Sequence, residues 1–344
     1  MISREFRSDT LTLPTAKMRD AMQNAEVGDD VLEEDPTINK LQALVAKKLD
    51  VEAALFVPSG TAGNQIAIGV HTNHGDEIIV SESTHVIDHE QAAAAALWGA
   101  QVRAVTPRKT DWLTTADILP RIRVDNDVHI PRTGLIMLEN PLAQGTVMPL
   151  ETMQAVRRLA NEHNVPIHLD GARLFSAALA LGVDVSKIVA EVDSVMFCLS
   201  KNLGAPVGSM LCGSAQFISQ AKRKRKIMGG GMRQAGVLAA PALIALEDGV
   251  ARLNEDHENA KLLAKLLSDI PGVLIDLESV QTNMIFFNVK KENGRSAEGL
   301  VDYLNDHNFN VYPTHWWGIR IVICSRVNED DTRALADAVR SYMN

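Results

Sequence analysis

Residues 150–170, LETMQAVRRLANEHNVPIHLD, contain the unit from which the fold is built. A helix-length segment at 150–164 runs directly into a short apolar stretch that ends at Asp170. Another apolar stretch, GLIMLEN at 134–140, precedes that segment. A helix between two short apolar stretches is typical of a β–α–β unit, whose strands lie in one sheet.

The same alternation extends over residues 50–215, where seven short apolar stretches predict strands. They are AALFVP (53–58), DEIIVS (76–81), QVRAVT (101–106), GLIMLEN (134–140), VPIHLD (165–170), DSVMFCLS (193–200) and PVGSMLCG (206–213). This pattern predicts an α/β domain with a mostly parallel seven-stranded sheet and helices on both faces. Ligands of such sheets bind beyond the carboxyl ends of the strands.

The last third of the chain has a different pattern. A glycine break, MGGGMRQAG, leads into a long helical region at 232–270 that we interpret as two helices, with bends at Pro241 and Gly249. From residue 272 the order strand–strand–helix–strand–strand–helix predicts a small α+β domain. Its predicted strands are VLIDL (273–277), NMIFFNV (283–289), NVYP (310–313) and GIRIVI (318–323). We expect a large domain over 13–245 and a small one over 246–344.

Composition excludes several functional classes. The 344 residues are 46% hydrophobic, and the net charge of −9 argues against nucleic acid or an anionic membrane as the main partner. The cysteines Cys198, Cys212 and Cys324 form neither a CxxC pattern nor a disulfide framework, which fits a reducing compartment. The beginning, MISREFRSDT, lacks the apolar region of a secretory signal, and QAAAAALWGA is too short to span a bilayer. We therefore expect a cytoplasmic protein.

The stretch FCLSKNLGAPVGSML at 197–211 contains one lysine, Lys201, between an apolar run and small residues. Burying an unpaired ammonium is costly. Lys201 is either an amine nucleophile that forms a Schiff base or a strand-end lysine whose ammonium reaches water.

Asp170 ends the strand in VPIHLDGARLF, and Arg173 follows it. A carboxylate there could hold a protonated ring nitrogen or a metal, or could cap the next helix. Because Asp170 and Lys201 both follow strands, we expect them to face the same cleft.

A third stretch, FVPSGTAGNQ, places Ser59, Gly60, Thr61 and Gly63 between a strand and a helix, which suits a phosphate. It lacks the GK[ST] ending of a P-loop and the GxGxxG spacing.

Histidine and arginine side chains add three weaker candidates. In SESTHVIDHE, His85 and His89 could begin a metal site with Glu90, but no third well-spaced ligand follows. One of these rings could instead stack on a planar cofactor, or both could lie on the surface.

The basic run from Lys222 to Lys226 is expected to be mostly solvated, whereas Arg233, after three glycines, is better placed to bind an anion.

Taken together, these stretches resemble the low-specificity L-threonine aldolases, pyridoxal-phosphate enzymes of fold type I. The resemblance runs nearly from end to end. It is carried by FRSDTLTLPTAKM, EVGDD, EDPTIN, ALFVPSGTAGN, HLDGARLF, CLSKNLGAPVGS, GGGMRQAGVLAA and QTNM.

The resemblance implies a pyridoxal 5′-phosphate cofactor bound to Lys201 as a Schiff base, with Asp170 on the pyridinium nitrogen and His85 stacked on the ring. It assigns cofactor binding also to Gly60, Thr61, Arg173 and Ser200, together with Arg233 from a neighbouring subunit. The substrate carboxylate would be bound by Ser8, Arg173 and Arg320, so that the segment 1–12 contributes to the site.

The implied reaction is retro-aldol cleavage of L-threonine, L-allo-threonine or a related L-β-hydroxy-α-amino acid to glycine and an aldehyde. His85 and His129, in DVHIPRT, are both candidates to position or deprotonate the hydroxyl group, and His129 could equally be a packing residue of a loop. The family also implies a homotetramer, a dimer of dimers with sites at subunit interfaces. Two alternatives are a β-eliminating lyase using the same cofactor and a cofactor-binding protein with little catalysis.

The chain departs from the family pattern at several positions that bear on the substrate side chain. They are Leu32 and Glu33 in place of tyrosine and glycine, Pro141 and Leu142 in place of threonine and histidine, Ile323 and Cys324 in place of threonine and histidine, and His89 in place of an aromatic residue. We expect these changes to shift the substrate preference.

Overall fold

The computed structural model describes residues 4–123, 127–291, 294–314 and 317–344. The strands of the described residues are β1 (Arg4–Glu5), β2 (Ala53–Val57), β3 (Glu77–Ser81), β4 (Gln101–Val105), β5 (Thr133–Glu139), β6 (Ile167–Asp170), β7 (Ser194–Cys198), β8 (Ser209–Gly213), β9 (Val273–Leu274), β10 (Met284–Val289), β11 (Phe309–Asn310) and β12 (Ile319–Val322). The α-helices are α1 (Ala16–Gln23), α2 (Pro36–Leu49), α3 (Gly60–His71), α4 (His85–Asp88), α5 (Ala93–Trp98), α6 (Thr115–Ile118), α7 (Leu150–His163), α8 (Leu174–Leu181), α9 (Val185–Val189), α10 (Ala215–Ile227), α11 (Gly236–Ile244), α12 (Val250–Ser268), α13 (Ala297–Asp306) and α14 (Glu329–Met343).

The seven predicted apolar stretches form one seven-stranded sheet, in the order β2-β8-β7-β6-β5-β3-β4. Five neighbouring strands, from β7 to β4, are parallel, whereas β8 runs antiparallel to both β7 and β2. A parallel neighbour requires a long crossover, and the connection from β7 to β8 contains no helix. The predicted α/β class with a mostly parallel sheet is confirmed.

Helix α7 shows how the crossover helices cover the sheet. Met153, Val156, Leu159 and Ala160 are buried along one side of α7 and belong to the main hydrophobic cluster. The helix ends at Asn164, whose backbone adopts a left-handed conformation (φ 53°) that turns the chain into β6.

A second hydrophobic cluster joins α12, α13 and α14 to the antiparallel sheet β12-β10-β9. The amino terminus belongs to this unit, because β1 pairs in parallel with β11 and Phe6 is buried in the cluster. The strand predicted at 310–313 is therefore shorter and earlier, Phe309–Asn310, and it pairs with β1 rather than with β10 or β12. Pro313 lacks a backbone N–H and cannot donate to a strand ladder.

The long helical region predicted at 232–270 is nearly continuous. Helix α11 contains Pro241, and a π-helical turn at Ala245–Gly249 links α11 to α12. Gly249 packs against the backbone of the loop that follows Lys201. A Cβ added at Gly249 would lie 2.3 Å from the Leu203 backbone oxygen. The predicted domain boundary at 245–246 falls inside this helical segment.

No helix among the described residues is long and apolar enough to cross a membrane.

Candidate active site

Four neighbouring strands place the candidate residues at one edge of the sheet. Glu139 and Asp170 are the last residues of β5 and β6, and they are partners in the strand register. Lys201 follows β7 on one side, and His85 follows β3 on the other. Because β7, β6, β5 and β3 are adjacent and parallel, these side chains share the carboxyl edge, as the sequence predicted.

The carboxylate of Asp170 is buried and held by two donors. Its Oδ1 accepts a hydrogen bond from the Ala172 backbone N–H (3.0 Å), and its Oδ2 accepts one from Asn64 Nδ2 (2.7 Å). Donors to both oxygens fix the plane of the carboxylate.

His85 is held from its backbone and from its ring. Its N–H donates to Glu139 Oε2 (2.9 Å), and its Nδ1 lies 2.7 Å from Glu90 Oε1. The hydrogen bond with Glu90 raises the pKa of His85, although burial of the ring opposes this. The exposed ring of His89 lies 5.4 Å from that of His85, between centroids.

Ligand atoms of His85, Glu90 and Asp170 lie within 4.8 Å of one another, which is the geometry of a cation site. However, the two carboxylates share a donor, because Asn64 Nδ2 also donates to Glu90 Oε1 (2.9 Å). A cation between these oxygens would have to displace that amide group. Both carboxylates are therefore already engaged in hydrogen bonds with protein groups.

Glu139 is buried beside Asp170, and sequence reasoning did not identify it. Burial and the negative charge of Asp170 raise the pKa of Glu139 to about 8, against the opposing effects of the His85 N–H and the charge of Lys201. Glu139 is therefore largely protonated near neutral pH.

The half-buried Lys201 side chain exerts its charge inside the cleft. Its ammonium group helps to lower the pKa of Asp9, and it opposes the rise in the pKa of Glu139 and of His85. Its backbone oxygen accepts hydrogen bonds from Thr12 Oγ1 (3.3 Å) and from the Gly204 N–H (2.9 Å). This position favours the interpretation as a cleft amine over that of a lysine extending into bulk water.

Arg173 is engaged by a residue that the sequence analysis missed, Asp9. Arg173 Nε and Nη2 each donate to one oxygen of Asp9, both at 2.7 Å, and the carboxylate is fully buried. Ser8 caps the short turn that carries Asp9, since its Oγ accepts from the Thr10 N–H (3.2 Å). The acidic residue Asp9 is visible in the stretch FRSDT, but the sequence alone does not show that it pairs with Arg173.

Arg320, on β12, contrasts with Arg173. Its Nε is buried without a hydrogen-bond partner among the residues that the structure describes. Burial and the adjacent positive charge of Arg173 lower the pKa of Arg320 to about 10. One of the two guanidinium groups is thus neutralised by Asp9, and the other remains available to an incoming anion.

Gly60 and Thr61 begin α3, as predicted, and Ser59 caps the helix by accepting a hydrogen bond from the Ala62 N–H (3.1 Å). An added Cβ at Gly60 would lie 3.0 Å from Cys198 Sγ, and one at Gly63 would lie 2.5 Å from Met196 Cγ. These glycines let the helix start approach β7 closely, and the half-buried Ser200 follows two residues after the end of β7. The amide groups of this helix start suit a phosphate.

Two predicted site residues lie elsewhere in the single chain. His129 is exposed, hydrogen-bonds to Asp127 (2.8 Å) and precedes β5, so it lies toward the amino edge of the sheet, opposite Asp170. Arg233 is exposed and paired with Asp29 (2.7 Å).

The basic run on α10 is less solvated than expected. Arg225 is 4% exposed, donates to the Phe56 backbone oxygen (2.8 Å) and pairs with the buried Asp30 (2.9 Å). It lies on the side of α10 that packs against β2, and it is the one buried residue of a run that was expected to be mostly solvated.

Most of the departures from the family pattern are interior residues. Pro141, Leu142, Ile323 and Cys324 are buried, and Ile323 belongs to the second hydrophobic cluster. Leu32, Glu33 and His89 are exposed. Of these seven positions, only the last three offer side chains to solvent.

Comparisons with known proteins agree with this geometry. A sequence profile of the beta-eliminating lyase family matches residues 5–290. The chain is 42% identical over 331 residues to the probable low-specificity L-threonine aldolase 2 of Arabidopsis thaliana, covering 95% of this chain and 93% of that protein. It is 38% identical over 341 residues to the low specificity L-threonine aldolase of Escherichia coli (strain K12), covering 98% and 99%. The fold resembles that of the threonine aldolase of Leishmania major with a TM-score of 0.85 at 20% identity, covering 99% and 100%.

Proposed function

The chain belongs to the beta-eliminating lyase family and, within it, to the low-specificity L-threonine aldolases, and from this premise we propose that it cleaves L-threonine, L-allo-threonine or a related L-β-hydroxy-α-amino acid to glycine and an aldehyde. The observation that carries the proposal is the convergence of Lys201, Asp170 and Arg320 on one cleft, as an amine, a fixed carboxylate and a guanidinium group whose Nε has no hydrogen-bond partner among the described residues.

The cleft fits pyridoxal 5′-phosphate. Lys201 would hold it covalently, Asp170 would accept its ring N–H, His85 would stack on the ring, and the start of α3 at Gly60 and Thr61 would hold the phosphate. Ser200 beside the helix start, and Arg233 of a neighbouring subunit, complete the proposed phosphate site. The bound group supplies an electron-accepting ring that stabilises negative charge on a substrate carbon.

Arg320 and Arg173 have different proposed roles toward the substrate carboxylate. The fork of Arg173 is already held by Asp9 through two hydrogen bonds of 2.7 Å, which leaves one terminal nitrogen for the substrate. Among the described residues no carboxylate is hydrogen-bonded to Arg320, and we assign to it the main contact with the substrate carboxylate, together with Ser8. A carboxylate fixed by a planar fork cannot rotate freely, so the bond to be cleaved keeps one orientation.

His85 is the residue that we propose to accept the proton of the substrate hydroxyl group. Its Nδ1 is bound to Glu90 Oε1 (2.7 Å), which leaves Nε2 as the free nitrogen. His129 lies at the opposite edge of the sheet in this chain and cannot reach the same atom within one subunit.

The proposed reaction is tested by identifying the products. Purified protein supplied with pyridoxal phosphate is incubated with L-threonine, L-allo-threonine, L-phenylserine and L-serine, and glycine, aldehyde and ammonia are quantified. Lys201→Ala is the test variant, and the exposed Lys265→Ala is the matched control. Glycine and aldehyde in equal amounts, abolished only in Lys201→Ala, are expected. Ammonia and a keto acid would instead identify a β-eliminating lyase.

We further propose a substrate preference shifted away from threonine, because His89 places a second imidazole 5.4 Å from that of His85, between ring centroids. The values of kcat/KM for the same substrates, measured on the wild type and on His89→Phe, test this idea. A wild type with ordinary preference for threonine and allo-threonine would refute it.

We also propose that the protein is a cytoplasmic homotetramer with sites at subunit interfaces. The apolar side chains of Leu32 (62% exposed) and Ile227 (74% exposed) are open to solvent, and they are close in sequence to residues that line a cavity, Asp30, Lys226 and Gly231. The three cysteines of the chain are buried and unpaired, which fits a reducing compartment. Light scattering during gel filtration measures the subunit number, and a monomer would contradict the proposal.

A further inference from the structure

Asn64, on α3, occupies a central position that the assigned roles do not explain. Its side chain is fully buried, and its amide nitrogen donates to two carboxylates, to Asp170 Oδ2 at 2.7 Å and to Glu90 Oε1 at 2.9 Å. In the described part of the chain, no other side chain is recorded with hydrogen bonds to both of these acids.

The orientation of the Asn64 amide follows from its partners. Carboxylate oxygens accept hydrogen bonds, and the NH2 group is the only donor of the Asn64 side chain, so this group faces Asp170 and Glu90. The Asn64 oxygen then faces His168 Nε2 (3.2 Å), and it needs a donor there. His168 must therefore carry its proton on Nε2.

The remaining partners of His168 complete a chain of hydrogen bonds with one direction. Burial lowers the pKa of His168 to about 3 and that of His71 to about 4, so both rings are neutral. His168 Nδ1 then accepts from the Ser194 hydroxyl (2.8 Å), and Ser194 Oγ accepts from His71 Nε2 (2.8 Å). The donors run from His71 through Ser194 and His168 to Asn64, whose amide cannot flip without breaking several of these bonds.

We propose that Asn64 is a positioning residue that holds Asp170 for the cofactor ring nitrogen and, through Glu90, holds His85 against the ring. This inference rests on the proposed function for the roles of Asp170 and His85. The physical reason is that two buried carboxylates repel each other, and the Asn64 NH2 group between them supplies one hydrogen bond to each. Without it, Asp170 retains only the Ala172 N–H among its recorded donors.

The adjacent Gln65 provides a matched control. Its Nε2 donates to Glu90 Oε2 (2.7 Å), and no hydrogen bond to Asp170 is recorded for it. Asn64→Leu and Gln65→Leu therefore each remove one buried amide from Glu90, but only the former changes Asp170. Three quantities are compared in the two variants and the wild type: the dissociation constant of pyridoxal phosphate from the apoprotein, the visible spectrum of the loaded protein, and kcat and KM for L-threonine.

A hydrogen bond to a charged group is worth about tenfold to a hundredfold in an equilibrium constant, so Asn64→Leu is expected to weaken cofactor binding by about that factor and to change the visible spectrum. Gln65→Leu is expected to keep the cofactor dissociation constant within about threefold of wild type and to lower kcat through His85.

Two results would overturn the proposal. One is a folded Asn64→Leu apoprotein that binds the cofactor as the wild type does. The other is an equal loss of cofactor affinity in Gln65→Leu, which would place the effect on Glu90 alone.

If circular dichroism shows that Asn64→Leu does not fold, Asn64→Ser replaces it. Its hydroxyl retains one donor, so an intermediate loss of affinity is expected, and wild-type affinity would refute the inference. Cofactor binding is measured without turnover, so absence of glycine from the wild type would refute the proposed function and leave this comparison decisive.

Discussion

Replacing Asp9 by asparagine removes one partner of the buried ion pair with Arg173. The carboxylate of Asp9 is 0% exposed, and the Arg173 side chain is 10% exposed. The two N–H···O distances are 2.7 Å, and Asn283 Nδ2 lies 3.5 Å from the same carboxylate. Asparagine keeps the size of the side chain, but it removes the negative charge and leaves Arg173 uncompensated.

The size of the effect follows from this burial. Removing one partner of a buried pair costs about 3–5 kcal/mol of unfolding free energy, because the remaining charge stays desolvated. An exposed pair would contribute about 1 kcal/mol or less. A cost of about 3–5 kcal/mol corresponds to a change of about two to four orders of magnitude in the unfolding equilibrium constant.

The assay is urea unfolding of the apoprotein, followed by circular dichroism, for wild type, Asp9→Asn and the exposed control Asp302→Asn. The double variant Asp9→Asn, Arg173→Met should recover part of the loss, since both charges are then absent. A cost below about 1 kcal/mol for Asp9→Asn, or no recovery in the double variant, would refute the claim that the pair is a buried, mutually compensating unit.

The pH dependence of this pair has a definite sign. Burial alone raises the pKa of Asp9, but the ion pair and hydrogen bonds with Arg173 outweigh it, so the pKa lies below the ordinary value of 3.8. The stabilisation is therefore present above that value and is lost as the pH falls through the lower, folded-state pKa. Asp9→Asn should show its full cost near neutral pH and a smaller cost in acid.

Three further variants test other parts of the site. Arg320→Lys loses the fork for the carboxylate and should raise KM for L-threonine by about tenfold to a hundredfold, and an unchanged KM would remove Arg320 from the contact. Glu139→Gln tests the raised pKa: the wild-type apoprotein should lose stability relative to the variant as pH rises from 4.5 to about 8, whereas a difference that is constant with pH would contradict it. His71→Gln tests the neutral, buried ring: the wild type should lose stability relative to the variant as pH falls from 6.5 to about 4, as urea unfolding at about pH 7.5 and about pH 5 would show.

The sheet was predictable because its strands are marked locally. Six of the seven apolar stretches are fully or largely buried, the exception being the edge strand β4, and helices lie between most of them, so the pattern and the fold largely depend on the same burial. Asp170 and Lys201 could be brought together for the same reason, since each directly follows such a stretch. The position of His129 could also have been predicted from the sequence. The stretch DVHIPRT precedes β5, and residues that precede a strand of this sheet lie at its amino edge.

Other features depend on partners that are distant in sequence. Asp9 pairs with Arg173, Arg225 pairs with Asp30, and β1 pairs with β11, and no local pattern specifies these combinations. In the same way, FVPSGTAGNQ indicated a helix start but not that Asn64 would turn toward Asp170. A single sequence identifies side chains that can do chemistry more readily than those that hold them in place.

The central claim is that Lys201 is the amine of a cofactor cleft, and the most direct measurement is the site of covalent attachment. The protein is loaded with pyridoxal phosphate, reduced with borohydride, digested and analysed by mass spectrometry. The account predicts a stable adduct on the peptide containing Lys201, and none on Lys222 or Lys226, whose side chains lie on the surface of α10. An unmodified Lys201, or a label distributed over the surface lysines, would contradict it.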